Sequence, residues 1–224
     1  MVTHIETELS NLKIDLNEMW DLVISQVKES RESLMNFDKE AANEILFKEK
    51  IVDVFELKLD RDCENIIALY NPVASDLRLT LAVIKIVLNL ERIADFAKGI
   101  AKFIAKSPRE SINPELLISA QVEELLTSAL AMITDAKTAL NNENSRMAIS
   151  IFSKDSLIDQ ITRESNKIIG DYILKHPDEI DEALNIYTII RKIERMGDHS
   201  NNIAEEIVFY LEAKVLRHNK AARK

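Results

Sequence analysis

The sequence predicts an all-α protein made of two tandem, pseudo-symmetric three-helix bundles with six long helices. Three observations carry this. Breakers are scarce, with 3 Gly and 4 Pro in 224 residues, against average usage of about 7% and about 5%. Aromatic residues make up 5% and charged residues 30% of the chain, too few strand formers and too little turn chemistry for a β-rich fold. An acidic motif also recurs at a constant offset in the two halves, which is the mark of an internal duplication.

The helices follow from the breaks between them. Asn36-Phe37-Asp38 ends the first, with Asp38 placed to cap the second. Asn71-Pro72 ends the second, because proline restricts the residue before it and has no amide hydrogen to continue the ladder. Lys106 to Pro114 holds two prolines close to the midpoint of the chain. Asn141 to Asn144 is a polar stop, and His176-Pro177-Asp178 puts proline in the first turn of the last helix. Helices are therefore expected at 4–35, 39–70, 75–105, 115–141, 145–175 and 178–216. They are far longer than the usual ~11–12 residues and suit extended bundles. The domain boundaries expected are 1–106 for the first repeat, 107–114 for a linker and 115–224 for the second repeat.

The net charge of −9 argues against nucleic acid as a partner; it would attract divalent cations, though the plainest reading of an acidic balance is solubility. Cys63 is the only cysteine; it lies between Leu59 and Ile66 and reads as a small buried hydrophobe. The longest apolar run, Leu81 to Leu90, is broken by Lys85 and Asn89 and falls short of the ~20 residues that span a bilayer. With no signal peptide visible, a soluble, cytoplasmic protein is expected.

The duplication rests on named residues. Glu91-Arg92-Ile93-Ala94-Asp95 in the third helix matches Glu194-Arg195-Met196-Gly197-Asp198 in the sixth at an offset of 103, and Ile100-Ala101 matches Ile203-Ala204 at the same offset. One helix earlier, Glu49 and Asp53 correspond to Asp155 and Asp159 at an offset of 106, and Pro72 to Pro177 at 105.

Carboxylates at i and i+4 stand one turn apart and repel by a few tenths of a kcal/mol, unless a cation bridges them. The chain holds eight such pairs, where random placement gives about six at helical spacing. The number alone is therefore uninformative; the informative fact is that four pairs sit at matching places in the two halves. Glu91 and Asp95 continue the stripe Leu77, Leu81, Ile84, Leu88 on a helix that is apolar nearly all round and so expected at the centre of its bundle. On the second helix, Glu56, Asp60 and Glu64 extend the acidic stripe of Glu49 and Asp53 and read as a solvated face. Glu194 and Asp198 share a face with Arg191, Asn201 and Glu205, which reads as exposed polar surface. Arg92 and Arg195 supply an alternative to metal, namely ion pairing. Spacing alone leaves metal binding and ion-pair networks level; oxygen-only ligands would suit Mg, Mn, Fe or Zn.

Several chemistries lack their residues. There is no Gly-rich phosphate loop or dinucleotide fingerprint, no Cys/His zinc pattern, and no Glu-x-x-His of the di-iron bundles. His4, His176, His199 and His218 are isolated and expected at the surface, with His199 pointing away from Asp198 but within reach of a site edge. With no nucleophile–base arrangement, the expectation is a non-enzymatic protein; the alternatives are a carboxylate-bridged metal-dependent enzyme and a plain helical scaffold.

Pro72-Val73-Ala74-Ser75-Asp76-Leu77-Arg78, Leu90-Glu91-Arg92-Ile93-Ala94-Asp95, Glu194-Arg195-Met196-Gly197-Asp198-His199 and Asn202-Ile203-Ala204-Glu205 together resemble the PhoU family, over essentially the whole chain. The resemblance implies a negative regulator of phosphate uptake and phosphate-starvation signalling. Such a protein acts on the phosphate ABC transporter ATPase and a sensor histidine kinase, commonly as a homodimer, and meets the membrane only through these partners. It further implies divalent or multinuclear metal held by Glu49, Asp53, Glu91 and Asp95 in one half. In the other half the ligands would be Asp155, Asp159, Glu194 and Asp198, with Asn202. Ala94 stands where the second half has Gly197, and the first half has no counterpart of His199 or Asn202, so the two sites are expected to differ.

Overall fold

The computed structural model describes residues 4–216, and among these the regular structure is all helical, with no strand. The first half comprises α1 (His4–Asn36), α2 (Lys39–Tyr70) and α3 (Ala74–Lys106). The second comprises α4 (Pro114–Ser119), α5 (Val122–Asn141), α6 (Ser145–Lys175) and α7 (Ile180–Glu212), with a 3-10 turn at Pro177–Glu179.

The breaks act as the side chains dictate. Phe37 takes a left-handed φ of 50°, and the Asp38 carboxylate accepts the amide hydrogens of Glu40 and Ala41 at 2.9 and 3.0 Å, an N-cap. Asn71 closes α2 at φ 51°. Asn113 caps α4 and Asn144 caps α6 through their side-chain oxygens.

Two boundaries differ from expectation. The fourth helix is two helices, because Gln121 adopts φ 52° and breaks it. Leu116 and Ala120 must be buried, and so must Val122, Leu125 and Leu126. At about 100° per residue these two sets fall on opposite faces of one straight helix; the bend turns both inward. The last helix begins at Ile180, after the Pro177 turn, and stops at Glu212 instead of continuing to 216. Ala213, at φ 55°, donates its amide hydrogen to the Phe209 carbonyl, a left-handed C-cap.

Helix α3 packs on α1, α2 and α7; α7 packs on α3, α5 and α6. These two helices form the spine of the molecule, joined by a single apolar core that includes Ile86, Leu90, Ile93 and Ile100 of α3 and Ile189, Ile193, Met196 and Ile203 of α7. The fully buried Trp20 links the halves a second time by donating its indole hydrogen to the Ile133 carbonyl at 3.2 Å. At the start of α3, Arg78 Nε donates to the Tyr210 carbonyl near the end of α7 at 3.1 Å, so one arginine of the Pro-x-Ala-Ser-Asp-Leu-Arg element fastens helix to helix. Cys63 is fully buried, and burial pushes its thiol up to about 12, as suits a packing residue. Among the described residues no helix is long and apolar enough to cross a membrane.

Helix α3 is central, but not apolar all round. Leu88 is 51% exposed, and Leu77, Leu81 and Ile84 are half-buried. The stripe that Glu91 and Asp95 continue therefore runs along the rim of the bundle, where carboxylates keep partial access to water.

Candidate functional site

In the first half, α2 and α3 set their acids against each other. An oxygen of each of Asp53, Glu56 and Glu91 lies within 4.8 Å of the others. The Glu91 side chain is 15% exposed; burial first, then the Asp95 charge, pushes its carboxyl up to about 7. Burial, followed by the charges of Asp60 and Asp53, also raises Glu56. Glu91 Oε2 is buried and accepts no hydrogen bond; its nearest cation, Arg92 Nε, stands 3.4 Å away. Three acids held together, with a buried oxygen that has no hydrogen bond and only a loose arginine contact, form a place where a cation lowers the energy.

This group differs from the one the spacing singled out. Glu56 reads as solvated from its stripe; it is half-buried and inside the cluster, one turn beyond Asp53. Asp60 is half-buried outside the cluster, and Glu64 is exposed as expected. Glu49 is buried and stands apart, because the Lys98 ammonium donates to its carboxylate. The same ammonium lies 3.6 Å from Asp95. The ion-pair alternative is thus realised at Glu49, by a lysine and not by Arg92, whose contacts with Glu91 and Asp95 at 3.4 and 3.7 Å are the weak surface kind.

In the second half, α6 and α7 present Asp155, Asp159, Glu194 and Asp198. Burial pushes Asp155 up to about 6; the Asn201 hydrogen bond opposes this, and the charges of Asp159, Asp198 and Glu194 add to it. Asp198 is raised by burial and by Asp159 against the pull of Arg191 and Arg195. Asp159 is exposed. Glu194 Oε2 has an Arg191 nitrogen at 2.5 Å, positioned as an ion pair without hydrogen-bond geometry. Among the described residues these four acids do not converge as Asp53, Glu56 and Glu91 do; Thr162 occupies the place of Glu56.

The face of α7 carrying these acids is open only in part: Arg191 and Asp198 are exposed as expected, Glu194 is half-buried, and Asn201 and Glu205 are covered. Asn201 is 8% and Glu205 4% exposed, because α3 and α6 cover them. Between the halves lies a cleft of about 660 Å³ lined by Arg92 and Asp95 from α3, Asp155 from α6, and Arg195, Asp198, His199 and Asn202 from α7, among others. Asp95 of the first acid set and Asp155 and Asp198 of the second, which the sequence treats as separate, thus line one cleft. His199 belongs to it and is not a surface residue: its Nδ1 hydrogen-bonds Asn89 Oδ1 at 2.8 Å. Burial, and then Arg92 and Arg195, hold its pKa below the ordinary histidine value. Asn202 donates to the same Asn89 oxygen at 3.2 Å. Of the other histidines, His4 is exposed, His176 stacks on Tyr172 with ring centroids 4.5 Å apart, and His218 lies outside the described residues.

Sequence reasoning missed Glu56, Lys98 and Asn89. Glu56 carried a signal, three residues after Asp53 on the same helix. Lys98 carried one too, at the offset of 103 from Asn201. Asn89 carried none, since its partners come from the other half of the chain.

The PhoU domain family matches residues 16–104 and 122–207. The "Phosphate-specific transport system accessory protein PhoU homolog 1" of Thermotoga maritima is 30% identical, covering 92% of this chain and 88% of that protein. The Escherichia coli "Phosphate-specific transport system accessory protein PhoU" is 29% identical, over 94% of this chain and 86% of that one. Among solved structures, PhoU from Pseudomonas aeruginosa superposes with a TM-score of 0.89 at 27% identity, over 94% of this chain and all of the other. The phosphate transport system regulatory protein PhoU from Streptococcus pneumoniae does so with a TM-score of 0.84 at 27% identity, over 95% and 99%.

Proposed function

Since this chain belongs to the PhoU family and is a phosphate-transport accessory protein, we propose that it is a metal-binding negative regulator of phosphate uptake and phosphate-starvation signalling. It acts in the cytoplasm as a homodimer, and its partners are the phosphate ABC transporter ATPase and a sensor histidine kinase. It performs no catalysis of its own. The single observation that carries the metal reading is the convergence of Asp53, Glu56 and Glu91 around a buried carboxylate oxygen without a hydrogen bond.

The donors fit a hard or borderline cation: carboxylates on neighbouring helices, raised in pKa by burial and by one another. In the first half Asp53, Glu56 and Glu91 would hold it, with Asp95 alongside and Glu49 withheld by Lys98. In the second, Asp155, Asp159, Glu194, Asp198 and Asn202 would do so. A bound Mg, Mn, Fe or Zn ion would neutralise these acids and tie α2 to α3 and α6 to α7. The residues then act as positioners: they hold the faces of α3 and α7 in one register at the cleft, where a partner reads both halves at once.

Two experiments test this. Deleting the gene is expected to derepress phosphate-starvation genes and raise phosphate uptake in phosphate-rich medium; unchanged expression and uptake would overturn the regulatory assignment. Protein purified without chelator is expected to carry metal that Glu91→Gln combined with Asp198→Asn removes; equal metal content in both would overturn the ligand assignment. A robust metal-dependent turnover in a phosphatase or oxidase screen would replace the regulatory reading with an enzymatic one.

A further inference from the structure

The outer faces of α2 and α6 differ more than a duplication requires. On α2, residues 40, 44, 47, 51, 54, 58 and 61 follow one another at alternating steps of four and three, the spacing of a coiled-coil seam. Glu40 and Glu44 begin this seam, Phe47, Ile51 and Val54 form its middle, and Lys58 and Arg61 end it; all seven are exposed. Phe47 is 69%, Ile51 40% and Val54 64% exposed. The same helix buries Ile45, Val52, Leu59 and Cys63 on its other side. The seam is therefore a second apolar stripe, and no described residue covers it.

At the offset of 106, α6 has Ser153, Leu157 and Gln160 in place of the apolar three, Ser150 in place of Glu44 and Glu164 in place of Lys58. Its inner stripe, with Ile151 and Ile158, is buried as that of α2 is, so packing a repeat does not call for an outer one. Single exposed apolar side chains need no explanation. Three in register on one helix, and missing from its duplicate, mark an interaction surface.

The order of charges along the seam identifies what fits it. From its N-terminal end it runs acidic, apolar, basic. A second α2 laid antiparallel across a two-fold axis near Ile51 sets each acidic end on the other's basic end and the apolar middles on each other. A parallel copy would set acid on acid and base on base. Such self-complementarity is what an isologous contact between two copies requires, and a stripe of this spacing is the narrow seam that one facing helix fills. Lys58 already has Asp15 of α1 at 2.5 Å, so the pairing across the axis falls chiefly to Arg61 with Glu40 and Glu44.

We propose that the outer face of α2 is the interface of the homodimer, packed antiparallel on the same face of a second copy. The proposal rests on the homodimer reading above and adds which surface makes it and in which orientation.

The test is the oligomeric state of the full-length protein, read by sedimentation equilibrium over a concentration series. The wild type is expected to dimerise. Ile51→Asp combined with Val54→Asp should weaken the dimer by roughly tenfold or more, while Leu157→Asp on α6 should leave it within about twofold. All three positions are exposed, and a circular dichroism melt checks that each variant folds. Orientation is read with a short bis-maleimide. Ile51→Cys should be captured as a covalent dimer and Glu44→Cys should not, since the antiparallel pairing puts the two copies of position 44 roughly 20 Å apart; the native Cys63 is buried. If the wild type dimerises and the Ile51/Val54 double variant does so within about twofold, the homodimer reading stands, the α2 face is left to a different protein, and this inference is overturned. Capture through position 44 in place of position 51 overturns the antiparallel arrangement. A wild type that stays monomeric throughout the series overturns both readings.

Discussion

The first-half and second-half acid sites descend from one pattern and solve one problem in two ways. Around Glu49, Asp53, Glu56, Glu91 and Asp95 the chain supplies its own cation, Lys98, at the most buried acid, and converges the next three. Around Asp155, Asp159, Glu194 and Asp198 it places arginines at the margin and an amide at the buried acid. A duplicated helix can keep its carboxylates in register while the neighbouring position decides their charge balance. Repeated acids therefore do not imply two equal sites, because the energy of a buried carboxylate is set by what stands one turn away on the facing helix.

The largest expected effect breaks the comparison at its strongest contact. Lys98→Met should cost about 2 kcal/mol in urea unfolding of the metal-free protein, less than the ~3–5 kcal/mol of a fully buried pair because the lysine reaches water. Asn201→Leu should cost only about 1 kcal/mol, since the second half has no ion pair to lose there. A cost for Lys98→Met no larger than that of Asn201→Leu would erase the distinction.

Next is the pH dependence. Glu91, pushed up to about 7, and Asp155, to about 6, both lie above their unfolded values. Each contributes stability that is complete below the unfolded pKa and is lost as pH rises through the folded one. In chelator, the melting temperature should therefore rise as pH falls from about 7.5 to about 5, with a gain of order 2 kcal/mol. Glu91→Gln should remove the part centred near pH 7 and leave the part near pH 6. His199, held below its ordinary value, works in the opposite direction, so the decisive comparison is between proteins: a wild-type profile no steeper than that of Glu91→Gln would show that Glu91 is not held at its raised value.

Gly197→Ala should cost roughly 1–2 kcal/mol by calorimetric unfolding, since the new Cβ meets Asp155 Oδ1 at 2.9 Å and Ile158 Cδ1 at 3.2 Å. The reciprocal Ala94→Gly should cost close to the ~1 kcal/mol of helix propensity alone. Smallest of all, Glu64→Gln on the exposed face of α2 should stay within about 0.5 kcal/mol; a larger loss would mean that the acidic stripe is coupled along its whole length.

The sequence by itself determined the helices, the duplication and the positions of the acids, because these are local matters. Breakers act on their own backbone, periodicity sorts faces of a single helix, and a repeat is visible as an offset. What it could not determine is how far each residue lies from residues remote in the chain. The bend at Gln121 was hidden because Leu116 and Val122 each look compatible with a helix until one core has to take both. Glu56 entered the site and Glu49 left it because of which turn of α3 faces which turn of α2. The meeting of Asp95, Asp155, Asp198 and His199 in one cleft, and the contact of His199 with Asn89, came from the packing of α3, α6 and α7. Only the tertiary structure decided those points, since charge and burial at a carboxylate depend on neighbours within a few ångströms, whatever their separation along the chain.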